Sequence, residues 1–281
     1  MADNYMIDCP DMDCPDPGSV WLVGAGPGDP GLLTLRAASA LRAADVVLHD
    51  ALPGPAVLTL VRREAARINV GKRKRQPGWG QDAINARLIA EAQAGRRVVR
   101  LKGGDPFMFG RGGEEAMALL AAGIPFRVVP GISAGLAAPA AAGIPVTQRG
   151  LSAAVTFLTG HAGEGVADTI DWEALARAGG TVVGFMALTR LDEIAVRLLA
   201  GGRAAATPVA VVARATLPGQ RVLRSTLGAC TLAARRAALP MPALVVIGAV
   251  AGLDLRALKD AVLDPVSERS FTDVDRSRAV P

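Results

Sequence analysis

Aromatic side chains are scarce: phenylalanine, tryptophan and tyrosine make up 4% of 281 residues, with a single tyrosine. With 51% of the chain hydrophobic, the core has to be aliphatic and alanine-rich. The shortage also weighs against nucleic acid as a partner. Single strands are gripped by aromatic faces interleaved with basic residues, and neither that pattern nor a reading helix is evident. Cysteine and histidine are nearly as rare, at three and two. Cys9, Cys14 and Cys230 offer no disulfide framework, and with two histidines there is no metal-ligand spacing, so no structural metal is expected. Apolar runs free of glycine, proline and charge are too short to span a bilayer, which argues against a membrane partner. The acidic opening, residues 1–18, lacks the basic and apolar regions of a secretory signal. A cytoplasmic protein is the expectation.

Positive charge is present in excess, with 31 Lys and Arg against 26 Asp and Glu, a net +5. That balance suits an anionic partner, and with nucleic acid disfavoured a small polycarboxylate is the better reading. The length suits two modest α/β domains. Strands are read at residues 19–23, 45–50, 67–70, 97–101 and 126–129, and helices at 32–42, 55–62, 81–94 and 116–121. This alternation implies a parallel sheet covered on both sides by helices. After a helix at 133–142 and a Gly/Pro break, strands are expected at 154–159, 181–187, 208–213, 222–227 and 243–250. Helices are expected at 172–176, 191–200 and 227–237, and the short link before residue 222 points to a mixed sheet. The expected organisation is a disordered tail at 1–17, an N-terminal α/β domain at 18–138, a C-terminal α/β domain at 139–263 and a disordered tail at 264–281.

Glycine is concentrated where function would need it. Residues 101–115, LKGGDPFMFGRGGEE, join a strand to a helix. So many glycines in one connection cost chain entropy unless backbone must approach something closely. In an α/β sheet that connection lies at the carboxyl edge of the strands, where ligands bind. An earlier loop, Gly24-Ala25-Gly26-Pro27-Gly28-Asp29-Pro30, also follows a strand, and Asp50 ends the next one. Together these suggest a dinucleotide fingerprint and hence a nicotinamide-dependent oxidoreductase or a nucleotide-binding module. Asp29 at the third glycine position and the stiffening by Pro27 and Pro30 oppose it.

Gly103-Gly104-Asp105-Pro106 followed by Phe109-Gly110-Arg111-Gly112 closely resembles the central motif of the uroporphyrinogen-III C-methyltransferases, within the tetrapyrrole methylases. The opening G-A-G-P-G-D-P, Gly71-Lys72-Arg73, Pro130-Gly131-Ile132-Ser133-Ala134, Gly143-Ile144-Pro145 and Ala213-Arg214-Ala215-Thr216 with Gln220 match further family segments in order. Ser133 replaces the usual Thr, Arg214 the usual Asn, and the stretch after Lys72 lacks the His-Ser of many relatives.

The resemblance implies two unlike α/β domains with the active site in a trough between them, and a homodimer. It implies S-adenosyl-L-methionine (SAM) as cofactor and uroporphyrinogen III as substrate. Methylation at C2 and C7 would give precorrin-2, for sirohaem or cobalamin synthesis, and S-adenosyl-L-homocysteine. Lacking a dehydrogenase/ferrochelatase module, the chain is not expected to make sirohaem alone. By the same resemblance Asp50 is the proton acceptor, against its reading as a strand-end cap, and Lys72 the proton donor, against a solvated loop charge. Pro27, Gly103, Gly104, Asp105, Met108, Ser133, Ala134, Met186, Ala215 and Ala243 would contact the cofactor. Asp105 could also close an Asx-turn, Ser133 could be a helix N-cap, and Met186 reads as core by position alone. Arg149 would bind a substrate carboxylate, and Arg111 would do the same or lock its loop. Glu114 and Glu115 read as first-turn acids that favour the helix dipole, and His161 as a hydrogen-bonded loop residue.

Overall fold

The computed structural model describes residues 14–71, 79–161 and 169–255. The chain divides between Ser133 and Ala134 into two compact units, each with its own sheet and core. The expected junction at 138/139 falls inside a helix, Ala134–Ala141.

In the first unit the strands are β1 (Val20–Gly24), β2 (Val46–His49), β3 (Ala66–Asn69), β4 (Val98–Lys102) and β5 (Phe126–Val129). They form one sheet in the order β3-β2-β4-β1-β5, with every pairing parallel. The helices are α1 (Leu35–Ala43), α2 (Pro55–Leu58), α3 (Gln81–Gln93) and α4 (Gly112–Ala121). Side chains alternate between the two faces of a strand, and here both faces are covered. Trp21, Val23, Val47, Val99 and Leu101 pack with Ala37, Ala40 and Leu41 of α1 and Val57 of α2. Val20, Leu22, Val46, Leu48 and Val98 pack instead with Ile84 and Leu88 of α3 and Leu119 of α4. At about 1.5–3 kcal/mol for each fully buried aliphatic side chain, these two layers are the main stabilising force of the unit. Residues 14–18 are tied to it: the Gly18 N–H donates to the Arg96 carbonyl at 3.1 Å, and Cys14 Sγ lies 3.4 Å from Ser39 Oγ.

Two helices of this unit start elsewhere than expected, for local reasons. Asp29 accepts from the Gly31 N–H at 2.7 Å and closes a 3-10 turn over Pro30–Leu32. The α-helix therefore begins only after Thr34, whose hydroxyl accepts from the Ala37 N–H at 3.1 Å. α4 starts four residues early, at Gly112, because Arg111 adopts a left-handed conformation (φ 59°) that turns the chain into the helix.

In the second unit α5 (Ala134–Ala141), β6 (Val155–Thr159), α6 (Trp172–Ala178), β7 (Thr181–Phe185), α7 (Leu191–Ala200), β8 (Pro208–Ala213), β9 (Arg221–Thr226), α8 (Cys230–Ala237) and β10 (Ala243–Ile247) follow in order. The sheet order is β6-β7-β10-β8-β9, with β6 parallel to β7 and the other three pairings antiparallel, so it is mixed as expected. Val209, Val211, Val245 and Ile247 face α7 and its neighbours, whereas Ala210, Val212, Leu244 and Val246 face Ala138 of α5 and Val250. Among the described residues no helix is long and apolar enough to cross a membrane. None of their His, Cys, Asp and Glu side chains cluster in threes as a metal would require.

Candidate active site

Four strand-end connections of the first unit converge on Gly103, Gly104 and Asp105. Gly26 and Gly104 exchange backbone hydrogen bonds at 3.1 and 2.7 Å, locking the loop after β1 to the loop after β4. Asp50, just past β2, accepts from the Gly103 N–H through Oδ2 at 3.1 Å and from the Leu52 N–H through Oδ1 at 2.8 Å. Asp105 repeats the pattern, accepting from the Phe107 N–H at 2.8 Å and, across the sheet edge, from the Gly131 N–H after β5 at 3.1 Å. Each carboxylate therefore caps its own turn with one oxygen and clasps a neighbouring loop with the other. Every oxygen keeps a lone pair for another donor.

Glycine is required here by contact. A Cβ on Gly24 would lie 2.5 Å from the Gly131 Cα and 2.6 Å from the Gly104 carbonyl oxygen, closer than atoms approach without backbone movement. Three loops thus pack main chain against main chain. The Gly103 and Gly104 amides, which were expected to face a ligand, bond to Asp50 and Gly26. Gly71 abuts the same corner, since its Cβ would meet the Ala51 nitrogen at 2.5 Å. Lys72, the next residue, lies outside the described residues. The His49 ring, buried at the end of β2, donates through Nδ1 to the Asp50 carbonyl at 2.7 Å.

Pro27 and Met108 are half-buried on this edge, and Phe107 and Phe109 are exposed apolar side chains beside them. Arg111 pairs with Glu114 through two hydrogen bonds of 2.8 and 2.6 Å at the start of α4. That bond holds the Glu114 carboxyl below its ordinary range. Ser133, half-buried, ends the unit.

Glu115 lies in the first turn of α4, as expected. It is also fully buried, because α4 turns it onto β4. There Arg100 Nε and Lys102 Nζ donate to its Oε1 at 2.9 and 3.0 Å. Sequence reasoning missed this group, and the signal was available. Arg100 and Lys102 stand two apart in an otherwise apolar strand, so they share one face and need a buried acid.

In the second unit Met186 follows β7 with a left-handed backbone (φ 50°) and is 43% exposed, so it is not core. Its turn is held by the Gly160 N–H donating to the Phe185 carbonyl at 2.7 Å and by Arg190 Nη1 donating to the Gly160 carbonyl at 3.0 Å. Ala215 is half-buried between Arg214 and Thr216, both at positive φ. Gln220 sets this turn, accepting from the Thr216 N–H at 2.8 Å and donating to the Ala141 carbonyl at 2.9 Å. Ala243, half-buried, opens β10 opposite Ala213. Ala134 opens α5, Arg149 is exposed in the turn bridged by Gln148 and Ser152, and the His161 N–H donates to Thr159 Oγ1 at 3.1 Å.

Comparison with known proteins gives a consistent result. A uroporphyrinogen-III C-methyltransferase of a Sinorhizobium species is 50% identical over 261 residues, 92% of this chain and 91% of that one. Sirohaem synthase 1 of Yersinia enterocolitica is 53% identical over 236 residues, 84% of this chain but 49% of that protein, so the chain spans about half its length. The crystal structure of a Thermus thermophilus uroporphyrin-III C-methyltransferase complexed with S-adenosylhomocysteine superposes with a TM-score of 0.70 at 40% identity, over 83% of this chain and 98% of that one. The model of the tetrapyrrole (corrin/porphyrin) methylases matches residues 19–231, and the chain belongs to that family.

Proposed function

We propose that this chain methylates uroporphyrinogen III at C2 and C7, using SAM and releasing S-adenosylhomocysteine and precorrin-2. The observation that carries this reading is the 50% identity, spread over nine-tenths of both chains, to a protein named for that reaction. The residues present fit such a cofactor. Asp105 retains acceptor capacity for an ammonium or hydroxyl group, and Phe107, Phe109 and Met186 offer exposed apolar surface at strand ends. Pro27, Gly103, Gly104, Asp105, Met108 and Ser133 of the first unit are assigned to SAM, as are Ala134, Met186, Ala215 and Ala243 of the second. The small side chains at 215 and 243 would leave room for a flat ring.

SAM supplies an electrophilic methyl group on a sulfonium. The pyrrole carbon that would accept this methyl, leaving the sulfur as a neutral thioether, already carries a side arm and has no proton to lose. The positive charge left on the macrocycle would be relieved by loss of a proton from a pyrrole N–H or a neighbouring meso carbon. Asp50 is the assigned acceptor, because its two anchored oxygens hold a carboxylate in fixed orientation at the sheet edge. Lys72 is the assigned donor. Arg149, with its exposed guanidinium, would bind substrate carboxylates, and Arg111 would do so by exchanging Glu114 for a substrate arm. The reading includes a cytoplasmic homodimer.

Anaerobic incubation with SAM and uroporphyrinogen III, followed by mass analysis, is expected to show two added methyl groups. Calorimetry is expected to show S-adenosylhomocysteine binding. Product without added methyl, or NAD binding in place of S-adenosylhomocysteine, would overturn the reading. Light scattering checks the dimer.

A further inference from the structure

The floor beneath the Gly103–Asp105 loop holds two cations for one acid. Arg100 and Lys102 leave the same face of β4, with side chains 5% and 4% exposed, and both donate to Oε1 of Glu115. Gln81 Nε2 reaches the same oxygen at 3.4 Å. The other oxygen, Oε2, is buried and accepts no hydrogen bond among the described residues. Arg100 is also anchored locally, its Nη1 donating to the Leu101 carbonyl at 3.1 Å. An Arg100–Glu115 pair would satisfy charge balance by itself. Adding a second buried ammonium costs desolvation and places two cations side by side. Accordingly, burial first and Arg100 second push the Lys102 ammonium below the ordinary lysine range, while Glu115 and Asp50 pull the other way. A cation retained against that cost calls for a partner beyond Glu115.

The sheet register names the partner. β2 and β4 are neighbours with Leu48 opposite Arg100 and His49 opposite Leu101. The next step in that register sets Asp50 opposite Lys102, on the face Leu48 and Arg100 share. The chain supports the same placement, because the residue after Lys102 donates its amide to Asp50. Charges along this edge then alternate as Asp50, Lys102, Glu115 and Arg100, two of each sign. Glu114, at the start of α4, also senses Lys102.

We propose that Lys102 is a positioning residue for methyl transfer: its buried ammonium, held by Glu115, supplies the counter-charge that orients the Asp50 carboxylate at the end of β2. The inference rests on the reading of Asp50 as proton acceptor. Glu115 is then the structural member of the array and Lys102 the functional one, and the two roles separate on substitution. Lys102→Met leaves Arg100 and Glu115 as a one-to-one pair, so the interior has no buried charge left stranded, while Asp50 at the sheet edge loses its counter-charge. Lys102→Arg keeps a permanent cation.

The test uses the full chain, with steady-state methyl transfer to uroporphyrinogen III, calorimetric titration with S-adenosylhomocysteine, and thermal melting. Lys102→Met is expected to lower kcat by about tenfold to a hundredfold through misplacement of Asp50. Its S-adenosylhomocysteine affinity is expected to stay within about threefold of wild type, with Tm no lower. Lys102→Arg is expected to recover part of the lost rate and to move the alkaline limb of the kcat profile upward, because the guanidinium does not deprotonate in that range. Unchanged kcat in Lys102→Met would overturn the proposal, as would a parallel fall in rate, affinity and Tm. If the Met variant fails to fold, an alkaline limb left unmoved in Lys102→Arg overturns it and a raised one supports it. Wild-type protein that transfers no methyl would remove the Asp50 reading and this inference together, before any variant is compared.

Discussion

Asp50 and Asp105 each tie two loops together, so a substitution at either has a mechanical consequence besides any chemical one. Asp50→Ala removes the acceptor for the Gly103 and Leu52 amides and is expected to cost about 1–2 kcal/mol of stability. As the assigned proton acceptor its loss is also expected to lower methyl transfer by about a hundredfold or more. Affinity for S-adenosylhomocysteine should change far less, and a fall in affinity as large as the fall in rate would discard the assigned role. Glu115→Gln is the opposite case. The amide leaves two cations, Arg100 and Lys102, buried without their shared carboxylate and with only Asp50 to offset them, so a loss of about 3–5 kcal/mol is expected in denaturant melts. At this scale the sequence was partly legible. Motif order pointed to Asp50 and Asp105, and their capping geometry follows from Asx chemistry. The first-turn position of Glu115 was legible but its burial was not, because first-turn acids that favour the dipole commonly face solvent. Only the two cations on β4 reveal that this helix face points inward.

The parallel sheet of the first unit was legible at the level of elements because its strands are short apolar runs separated by helical patterns and turn residues. The backbone packing of three of their loops was not, since glycine marks close approach without saying what approaches. The structure supplies the partner: Gly24, Gly104 and Gly131 lie against one another. Gly131→Ala would place a Cβ against the Gly104 carbonyl and 2.7 Å from the Gly24 Cα. It is expected to destabilise by about 3 kcal/mol or more and to abolish S-adenosylhomocysteine binding, as overpacked backbone cannot yield without opening the loops. Gly113→Ala is its control. That glycine faces open space in the first turn of α4, so alanine is expected to leave activity intact and add up to about 0.5 kcal/mol. Equal Tm losses in the two variants would mean that the glycine contacts do not govern the fold. Helix starts were the least legible feature of the elements, because the Asp29 turn and the left-handed Arg111 override periodicity with local hydrogen bonding and backbone conformation.

Composition acts at the scale of the whole molecule. Scarce aromatics leave two aliphatic, alanine-rich cores, and the mixed sheet of the second unit was anticipated from the short link between two of its strands. What composition could not reveal is which arginines face substrate, since a net charge of +5 describes the sum and not the placement. The proposed substrate bears acetate and propionate arms, so association should be steered by this excess of positive charge. SAM carries a net positive charge and should not share that attraction. Raising salt from 0.1 to 1 M shortens the screening length from about 10 to about 3 Å. The KM for uroporphyrinogen III is therefore expected to rise several-fold over that range, with kcat changing little and S-adenosylhomocysteine affinity nearly constant. Arg149→Ala should flatten the salt dependence as well as raise KM, because one of the screened contacts has been deleted. A KM insensitive to salt in the wild type would remove the carboxylate-binding role from both Arg111 and Arg149, and would place the basic excess on surfaces unrelated to substrate.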